Sequence, residues 1–256
     1  MIDKNKFIIC IGAQKAGTTW LWEHAVKSKK IKCSSTKEIG FFNYVYEPNR
    51  YKWIDEKYLN LNLNRDAVNI PNYFELYLSK FDINTESNFY FDATPEYFDL
   101  PEFAIKDIRE KFNNIDIVIL LRNPVERCLS HIKMIIKNDR DGKYNPKECF
   151  SFIEDSNIIE RSMYERMITK WQQYFGENLR IFMYEQLSED PQNLLCKIFD
   201  GLEDYVVINK DNLFYKFNES TQYDLPIELN DLLKHKLKYT IEWCKTQYPN
   251  KWVTHW

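Results

Sequence analysis

Residues 7–27 of the chain read FIICIGAQKAGTTWLWEHAVK. The apolar run Phe7–Ile11 shows no alternation with polar residues, which is typical of a strand buried on both faces of a parallel sheet. A loop with two glycines, residues 12–19, follows it, and helical sequence runs from Trp20 to Lys27. The first N–H groups of such a helix have no intrahelical acceptor, and the positive end of the helix dipole lies beside them. The segment therefore predicts an anion cradle that suits a phosphate group.

Residues 12–19, here called the phosphate loop, carry their lysine in an unusual position. Gly12 and Gly17 match the G-x-x-x-x-G of a nucleotide-triphosphate loop, but Thr18 stands where that loop has its lysine. The lysine lies inside the loop at Lys15, which moves its charge towards the middle of a phosphate chain. The alternative is an ordinary strand–turn–helix with a surface lysine. We expect six consecutive loop residues to bind the ligand: Gln14, Lys15, Ala16, Gly17, Thr18 and Thr19.

A second strand–turn–helix unit reads LLRNPVERCLS at residues 120–130. The apolar strand Ile115–Leu121 ends at Arg122, where a magnesium-dependent phosphate loop protein would have an aspartate. Ligands of open α/β sheets bind at the carboxyl ends of the strands. Arg122 therefore predicts a second bound anion without a metal. Ser130 lies about two helical turns further on. A position in the same pocket and a plain position on the helix surface fit it equally well.

Three neighbours of Arg122 have a structural explanation. Asn123 suits the N-cap of the second helix, and Glu126, three residues later, completes a capping-box-like arrangement. Arg127 is interpreted as structural, paired with Glu126 or with backbone carbonyl groups. None of the three is expected to bind the ligand.

Short β-rich runs alternate with longer helical ones along the chain, which predicts βαβ units. Further strands are expected at Ile31–Ser34, Phe89–Asp92 and Leu179–Tyr184. Apolar stripes at helical spacing, interpreted as core faces, are formed by Met163, Met167, Trp171 and Tyr174, and by Leu229, Leu233, Leu237, Ile241 and Cys244. The fold class is α/β: a P-loop-like three-layer fold with a central, mainly parallel sheet flanked by helices. We expect residues 1–256 to form one domain.

Residues 44–80 interrupt this alternation with a polar segment rich in Asn and Tyr. A lid or acceptor-binding insertion over a site fits this composition. A plain helical insertion packed on the domain fits it equally well.

The composition excludes several classes of protein. The 256 residues include 35 Lys and Arg against 38 Asp and Glu, a formal net charge of −3, and 44% of them are hydrophobic. Disorder is excluded as the main state, and the mild acidity argues against a nucleic-acid or membrane-surface binder. No apolar run approaches the roughly 20 residues that cross a bilayer, so no membrane span is predicted.

The six cysteines and four histidines are scattered, with no C-x-x-C pair and no zinc-ligand spacing. We therefore expect a reduced, cytoplasmic protein without a metal site, with disulfide formation as the less favoured alternative. The sequence leaves the oligomeric state open.

With both motifs in place, the chain resembles the sulfotransferases that use 3′-phosphoadenosine 5′-phosphosulfate (PAPS). It is closest to the branch that modifies carbohydrates, which includes the heparan-sulfate sulfotransferases. Five blocks carry the resemblance in the family's order and spacing, at residues 12–19, 37–42, 92–98, 121–130 and 161–164.

The resemblance implies how the nucleotide would bind. The phosphate loop would hold the 5′-phosphosulfate, and Arg122 and Ser130 would bind the 3′-phosphate that distinguishes PAPS from ATP. Arg161 and Tyr164 would approach the nucleotide from a later helical block. Trp20 could contact the adenine, although a core position is the favoured interpretation.

The resemblance also implies the catalytic groups. Lys15 would lie near the oxygen that bridges sulfur and phosphorus, and Glu38 matches the family's catalytic carboxylate. The histidine common two residues after that carboxylate is Gly40 here, and the lysine that often precedes Thr-Pro is Ala93. The Cys-flanked Gly-Arg loop of the animal enzymes is not found after Asn218, so the 3′-phosphate clamp must be completed by other residues.

The function expected from the sequence is transfer of a sulfuryl group from PAPS to a hydroxyl or amine of an acceptor, a carbohydrate or small metabolite. A P-loop kinase with a degenerate phosphate loop is one alternative, against which the positions of Lys15 and Arg122 argue. A non-catalytic nucleotide- or glycan-binding protein on the same fold is another. No metal, nucleic acid or membrane span enters the expected function.

Overall fold

A computed structural model describes residues 6–28, 30–51, 54, 73–81, 89–139, 142–154, 156–199 and 223–256. Within these ranges the chain forms a five-stranded parallel sheet of order β2-β3-β1-β4-β5. The strands are β1 Lys6–Gly12, β2 Ile31–Cys33, β3 Phe89–Ala93, β4 Ile115–Leu121 and β5 Leu179–Met183. All five predicted strands are present, with small differences at their ends, and the predicted α/β class is confirmed.

Helices connect and cover the strands. The shorter ones are α2 Phe41–Tyr46, α3 Tyr73–Leu78, α6 Ser151–Glu154, α7 Ser156–Glu160, α9 Gln186–Glu189 and α10 Pro191–Ile198. The longer ones are α1 Thr18–Val26, α4 Glu102–Lys111, α5 Pro124–Asp139, α8 Tyr164–Phe175, α11 Ile227–Lys236 and α12 Lys238–Gln247. Short 3₁₀ turns lie at Pro95–Asp99, Pro146–Phe150, Gly176–Asn178 and Val253–His255.

The strand order creates a crevice between β1 and β4. From β1 the chain continues to β2 and β3 on one side of the sheet, whereas from β4 it continues to β5 on the other. Open α/β sheets bind their ligands outside the carboxyl ends of the strands at such a reversal. The phosphate loop follows β1 and Arg122 follows β4, so the topology brings the two sequence motifs to one place.

The apolar stripes lie in the core, as expected, with one correction. Trp171 in α8 is almost fully buried, and its indole Nε1 donates to the carbonyl of Phe98 over 3.2 Å. The stripe that ends at Cys244 belongs to two helices instead of one. The chain turns at Leu237 between α11 and α12, although Leu237 itself stays fully buried. Spacing alone does not show such a break because the turn preserves the apolar face.

The described parts of residues 44–80 pack into the core. Tyr44 and Tyr77 are buried, and the Tyr77 hydroxyl donates to the Asp92 carboxylate over 3.1 Å. These parts therefore form packed helices. Residues 55–72 lie outside the described ranges, so the lid or acceptor-binding role of this segment stays a prediction.

Three further observations concern the described ranges. None of the six cysteines, all of which lie in these ranges, forms a disulfide. No described helix is long and apolar enough to cross a membrane. No group of three or more His, Cys, Asp or Glu side chains with a metal-binding arrangement occurs among the described residues.

Candidate active site

The phosphate loop exposes backbone donors at the start of α1. The helix begins at Thr18, two residues earlier than the sequence indicated, and its N-cap is Gly17 in a left-handed conformation with φ of 93°. Gly17 has no side chain to cap the helix, and its carbonyl accepts the first intrahelical bond from Leu21 N over 3.1 Å. The amides of Thr18 and Thr19 therefore have no intrahelical acceptor and suit an anionic ligand.

Glycine is required at position 17 by its surroundings. A Cβ atom at Gly17 would lie 2.5 Å from Cδ2 of Leu187 in α9, and the positive φ would strain any other residue. The loop backbone therefore packs directly on the segment that follows β5. This close approach fixes the position of the loop against α9.

Arg122 connects the two sequence motifs. One of its terminal nitrogens donates to the carbonyl oxygen of Lys15 over 3.2 Å, and the guanidinium lies over the Tyr184 ring, 4.5 Å from its centroid. The Nε and the other terminal nitrogen donate to Oε2 of Glu126 over 3.2 and 3.1 Å. The Tyr164 hydroxyl donates to the Arg122 carbonyl over 2.8 Å. The predicted anion-binding arginine thus lies against the phosphate loop.

The neighbours of Arg122 agree with the sequence interpretation except in one pairing. Asn123 caps α5, since its Oδ1 accepts from the Val125 and Glu126 amides. Arg127 is fully buried and donates to the carbonyl of Ile158 over 2.5 Å, so its predicted backbone contact is present. Its alternative pairing with Glu126 is wrong, because Glu126 is on the exposed face of α5 and pairs with Arg122.

A second set of hydrogen bonds, through Gln14, also holds the phosphate loop. Gln14 donates from Nε2 to Oε1 of Glu96 over 3.1 Å and accepts from an Arg161 terminal nitrogen over 3.1 Å. Arg161 also lies 3.6 Å from Oε1 of Glu96. Burial raises the pKa of Glu96, while the Arg161 charge opposes that rise. Glu96 was missed as a site residue, although it lies in the recognised block at residues 92–98.

Lys15 and Glu38 face the same region. Burial lowers the pKa of Lys15, with a smaller lowering from the Arg122 charge, while the Glu38 charge acts in the opposite direction. Glu38 has a left-handed φ of 57°, and its amide donates to the Ala93 carbonyl over 3.1 Å. Its side chain pairs with Lys37 and is 42% exposed. The two predicted catalytic groups are therefore within electrostatic reach of each other.

The two departures from the family pattern have local explanations. Gly40 is the N-cap of α2 with a φ of 61°, and a Cβ there would collide with the Ile54 side chain. The packing of Ile54 thus excludes a histidine at this position. Ala93 is fully buried at the end of β3, where a lysine would have no access to solvent.

Three further residues named in the sequence analysis are buried in the structure. Trp20 is 5% exposed with its ring 4.1 Å from that of His24, which agrees with the core interpretation. Ser130 is 7% exposed in α5 and Thr18 is 4% exposed at the start of α1. Asn218 lies outside the described residues, as do residues 219–222 of the segment in which a Gly-Arg loop was sought.

These contacts bring the donors of the two motifs together around Lys15 and Arg122. Lysine, arginine and free helix amides are the donors that hold phosphate and sulfate in proteins, since each donates without needing a metal. The arrangement can bind two anionic groups, one at the phosphate loop and one at Arg122, and can stabilise negative charge that develops between them.

Comparison with known proteins identifies the chain's relatives. The sulfotransferase family model matches residues 8–204. The membrane-associated sulfotransferase kil1 of Dictyostelium discoideum is 31% identical over 156 residues, an alignment that covers 59% of this chain and 28% of that protein.

Two solved structures share the fold at low sequence identity. The sulfotransferase of Alicyclobacillus acidocaldarius aligns with a TM-score of 0.64 at 19% identity, over 96% of each chain. The sulfotransferase domain of the Synechococcus PCC 7002 olefin synthase aligns with a TM-score of 0.51 at 16% identity, over 90% of this chain and 88% of that one. Because the family model spans more than half of the residues and covers both motifs, the chain belongs to the sulfotransferase family.

Proposed function

We propose that this protein transfers the sulfuryl group of PAPS to a hydroxyl or amine of an acceptor, a carbohydrate or a small metabolite. One observation carries the proposal: the Arg122 guanidinium donates to the Lys15 carbonyl. This bond joins two anion-binding motifs into one pocket. A nucleotide with phosphates at both its 5′ and 3′ positions matches such a pocket.

The donor set supports PAPS as the ligand. The phosphate loop, with Lys15 and the free amides of Thr18 and Thr19, suits the 5′-phosphosulfate. Arg122 and Ser130 suit the 3′-phosphate. Gln14, Ala16 and Gly17 contribute the loop backbone. Arg161 and Tyr164 act one step away, because they hold the Gln14 side chain and the Arg122 carbonyl.

The proposed chemistry follows from the charged side chains of the site. PAPS, when bound, supplies the sulfuryl group, whose bond to the 5′-phosphate oxygen breaks as the acceptor bond forms. Lys15 stabilises negative charge on the departing phosphate, a role that typically gives about 3–4 kcal/mol per donor removed. Glu38 takes the acceptor's proton, which typically contributes about 10²–10⁴-fold. Because Lys37 pairs with Glu38, the acceptor must compete with this ammonium group for the carboxylate.

Glu38 is a better candidate base than the neighbouring Glu96. Glu96 is held by both Arg161 and Gln14, and its side chain is 15% exposed. Glu38 is 42% exposed, and its ion-pair partner among the described residues is Lys37, so an acceptor can reach it. We assign Glu96 to loop positioning.

Ligand preference separates this function from the kinase alternative. Isothermal titration should give tighter binding of 3′,5′-bisphosphoadenosine without metal than of ATP with Mg²⁺. Preference for ATP–Mg²⁺ would overturn the proposal in favour of a kinase.

Turnover separates it from a non-catalytic binding protein. Radiolabelled PAPS incubated with a panel of sugars, phenols and amines should label at least one acceptor. Lys15→Ala and Glu38→Gln should each abolish transfer, while Glu38→Gln should keep bisphosphoadenosine binding. Glu154→Gln, on the exposed surface of α6, is the matched control and should transfer at the wild-type rate. Wild-type transfer by Glu38→Gln would show that the base is misassigned.

The cellular location, the single-domain organisation and the role of residues 44–80 are also proposals. We place it in the cytoplasm as a single domain, with residues 44–80 contributing to acceptor binding. Fractionation of cells that express the tagged chain tests the location. Recovery of the tagged chain with membranes would contradict it.

A further inference from the structure

A cavity of about 600 Å³ lies between the start of α5 and the helices α11 and α12. Its apolar lining includes Val125 and Ile241, which belong to one buried cluster together with Leu237. This packing holds the turn between α11 and α12 against the start of α5. Three lysines also line the cavity: Lys234 from α11, and Lys238 and Lys245 from α12.

Two of these lysines have no counter-ion in the part of the chain that the structure describes. Lys245 lies 3.5 Å from Oε1 of Glu242, which lines the same cavity. Lys234 and Lys238 form no ion pair with any described residue. Both are exposed, and a lysine is a flexible point charge that can follow a bound anion. The cavity therefore offers two cations to a dianionic group such as a phosphate.

Arg122 borders this cavity through Glu126. The Glu126 side chain lines the cavity, and its Oε2 accepts from the Arg122 Nε over 3.2 Å and from a terminal nitrogen over 3.1 Å. Asn123, which follows Arg122, lines the cavity as well. A single carboxylate group thus stands between the Arg122 guanidinium and the space that the lysines line.

Hydrogen bonds to the first turn of α8 connect α12 with Arg122. The Thr240 hydroxyl of α12 donates to Oε2 of Glu165 over 2.7 Å. In the same turn, the Tyr164 hydroxyl donates to the Arg122 carbonyl over 2.8 Å. The helix that carries Lys238 is therefore held beside Arg122 by side-chain bonds as well as by apolar packing.

The cavity is on the nucleotide side of the candidate site. In the strand order β2-β3-β1-β4-β5, Arg122 follows β4 on one side of the phosphate loop. Glu38, the proposed base, donates from its amide to the carbonyl of Ala93 at the end of β3, on the other side of that loop. An acceptor that reaches Glu38 is thus separated from the cavity by the loop. The 3′-phosphate proposed for Arg122 is the anion placed next to the cavity.

We propose that Lys234 and Lys238 bind the 3′-phosphate of the nucleotide together with Arg122, and so select a donor that carries a second phosphate group. This inference rests on the proposed function. The phosphate takes the place of the Glu126 carboxylate at Arg122, and the two lysines offset its remaining charge. The part of the 3′-phosphate clamp that the sequence left open is thereby assigned to α11 and α12.

The test compares two ligands that differ only in the 3′-phosphate. Isothermal titration at low salt measures 3′,5′-bisphosphoadenosine and adenosine 5′-monophosphate against wild type and the double variant Lys234→Ala/Lys238→Ala. An exposed ion pair contributes up to about fivefold in affinity, so the double variant should bind the bisphosphate roughly five- to twentyfold more weakly. Binding of the monophosphate should change less than about twofold, since it lacks the group that the lysines contact.

A matched control removes the same charge elsewhere. Lys137 and Lys236 are exposed on α5 and α11 and are not lining residues of the cavity, so Lys137→Ala/Lys236→Ala should leave the ratio of affinities unchanged. An equal loss in this control would reduce the effect to net charge and overturn the proposal. Lys234→Arg/Lys238→Arg keeps both charges and should keep most of the preference for the bisphosphate.

Phosphorus NMR of the bound bisphosphate assigns the effect to one phosphate. Between wild type and Lys234→Ala/Lys238→Ala, the 3′-phosphate resonance should shift more than the 5′-phosphate resonance. A larger shift of the 5′-phosphate would place the lysines at the other end of the nucleotide and contradict the proposal.

The outcomes separate this inference from the proposed function. If wild-type protein does not prefer the bisphosphate to the monophosphate, the proposed function fails. If it does and Lys234→Ala/Lys238→Ala keeps the full preference, the inference fails while the function stands. A full preference combined with a raised KM for the acceptor would assign the two lysines to the acceptor instead. Circular dichroism checks that the variants fold, as expected for substitutions at exposed helix positions.

Discussion

Replacing Gly17 by alanine should destabilise the protein through a collision that can be located to one atom. The added Cβ would lie 2.5 Å from Cδ2 of Leu187, well inside van der Waals contact. Residue 17 also has a φ of +93°, a conformation that side-chain-bearing residues rarely adopt. Both effects act on the loop that holds the start of α1.

The expected magnitude follows from these two contributions. The left-handed conformation costs roughly 1–2 kcal/mol for a residue with a Cβ, and overpacking a tight contact costs roughly 1–3 kcal/mol. The Gly17→Ala variant should therefore lose about 2–5 kcal/mol of unfolding free energy, a large part of the roughly 5–15 kcal/mol typical of a folded protein. Urea unfolding followed by circular dichroism measures this loss.

Gly176 provides a control without a collision. Its φ is +50°, and a Cβ there would meet nothing within 4 Å. Its ψ of −122° places it outside the left-handed helical region that Gly17 occupies, so Gly176→Ala should lose stability through backbone strain alone. A Gly17→Ala loss of no more than about 1–2 kcal/mol, the cost of the left-handed backbone, would refute the collision with Leu187.

A double-mutant cycle tests the collision directly. Leu187→Ala alone should cost about 2–5 kcal/mol as a core truncation. In the double variant the new methyl group at position 17 occupies part of the vacated space, so the two losses should sum to more than the measured one. Distant sites add within about 0.3–0.5 kcal/mol, and additivity within that range would show that the two residues do not collide.

Three further predictions concern single side chains near the site. Burial raises the pKa of Asp92 from 3.8 to about 6. Between these two pH values the folded state therefore keeps a proton that the unfolded chain has lost. The stability this gives is present below pH 4 and is lost as the pH rises through 6. Asp92→Asn should therefore gain about 3 kcal/mol relative to wild type from pH 4 to pH 8 in urea unfolding, and a constant difference would contradict it. Asn123→Ala should cost about 1 kcal/mol of unfolding free energy by removing a helix cap, whereas Asn123→Asp should cost little. Glu126→Gln should strengthen bisphosphoadenosine binding roughly two- to fivefold at low salt by releasing Arg122, an effect that titration in high salt should remove.

The strands were predictable because a parallel strand buried on both faces has a continuous apolar sequence. The run Ile115–Leu121 is apolar at six of its seven positions, and all seven are buried in β4. Its predicted bounds, Ile115 and Leu121, are the bounds of β4 in the structure. The helix after β1 was placed two residues late, because Thr18 and Thr19 favour caps as well as first turns.

The side-chain contacts of the candidate site have no comparable pattern in the sequence. Gln14, Glu96 and Arg161 are separated by 82 and 65 positions along the chain, yet they form one hydrogen-bonded chain. Their pairing depends on how three elements pack together, which no local pattern encodes. For Arg127 the sequence predicted a backbone carbonyl as one possible partner, but only the packed structure shows that this carbonyl belongs to Ile158 and that the Ser162 hydroxyl is a second partner.

The exposure of the partner carboxylates decides which arginine is available to a ligand. Arg122 pairs with Glu126, whose side chain is 56% exposed, so water can solvate that carboxylate when a phosphate displaces it. An exposed pair of this kind is worth only about 0–1 kcal/mol, and its loss costs a ligand little. Arg161 pairs with Glu96, whose side chain is 15% exposed, and separating that pair would leave a buried carboxylate without its counter-ion. We therefore propose Arg122 as the arginine that exchanges its partner for an anion, and Arg161 as the one that keeps its partner and supports the loop through Gln14.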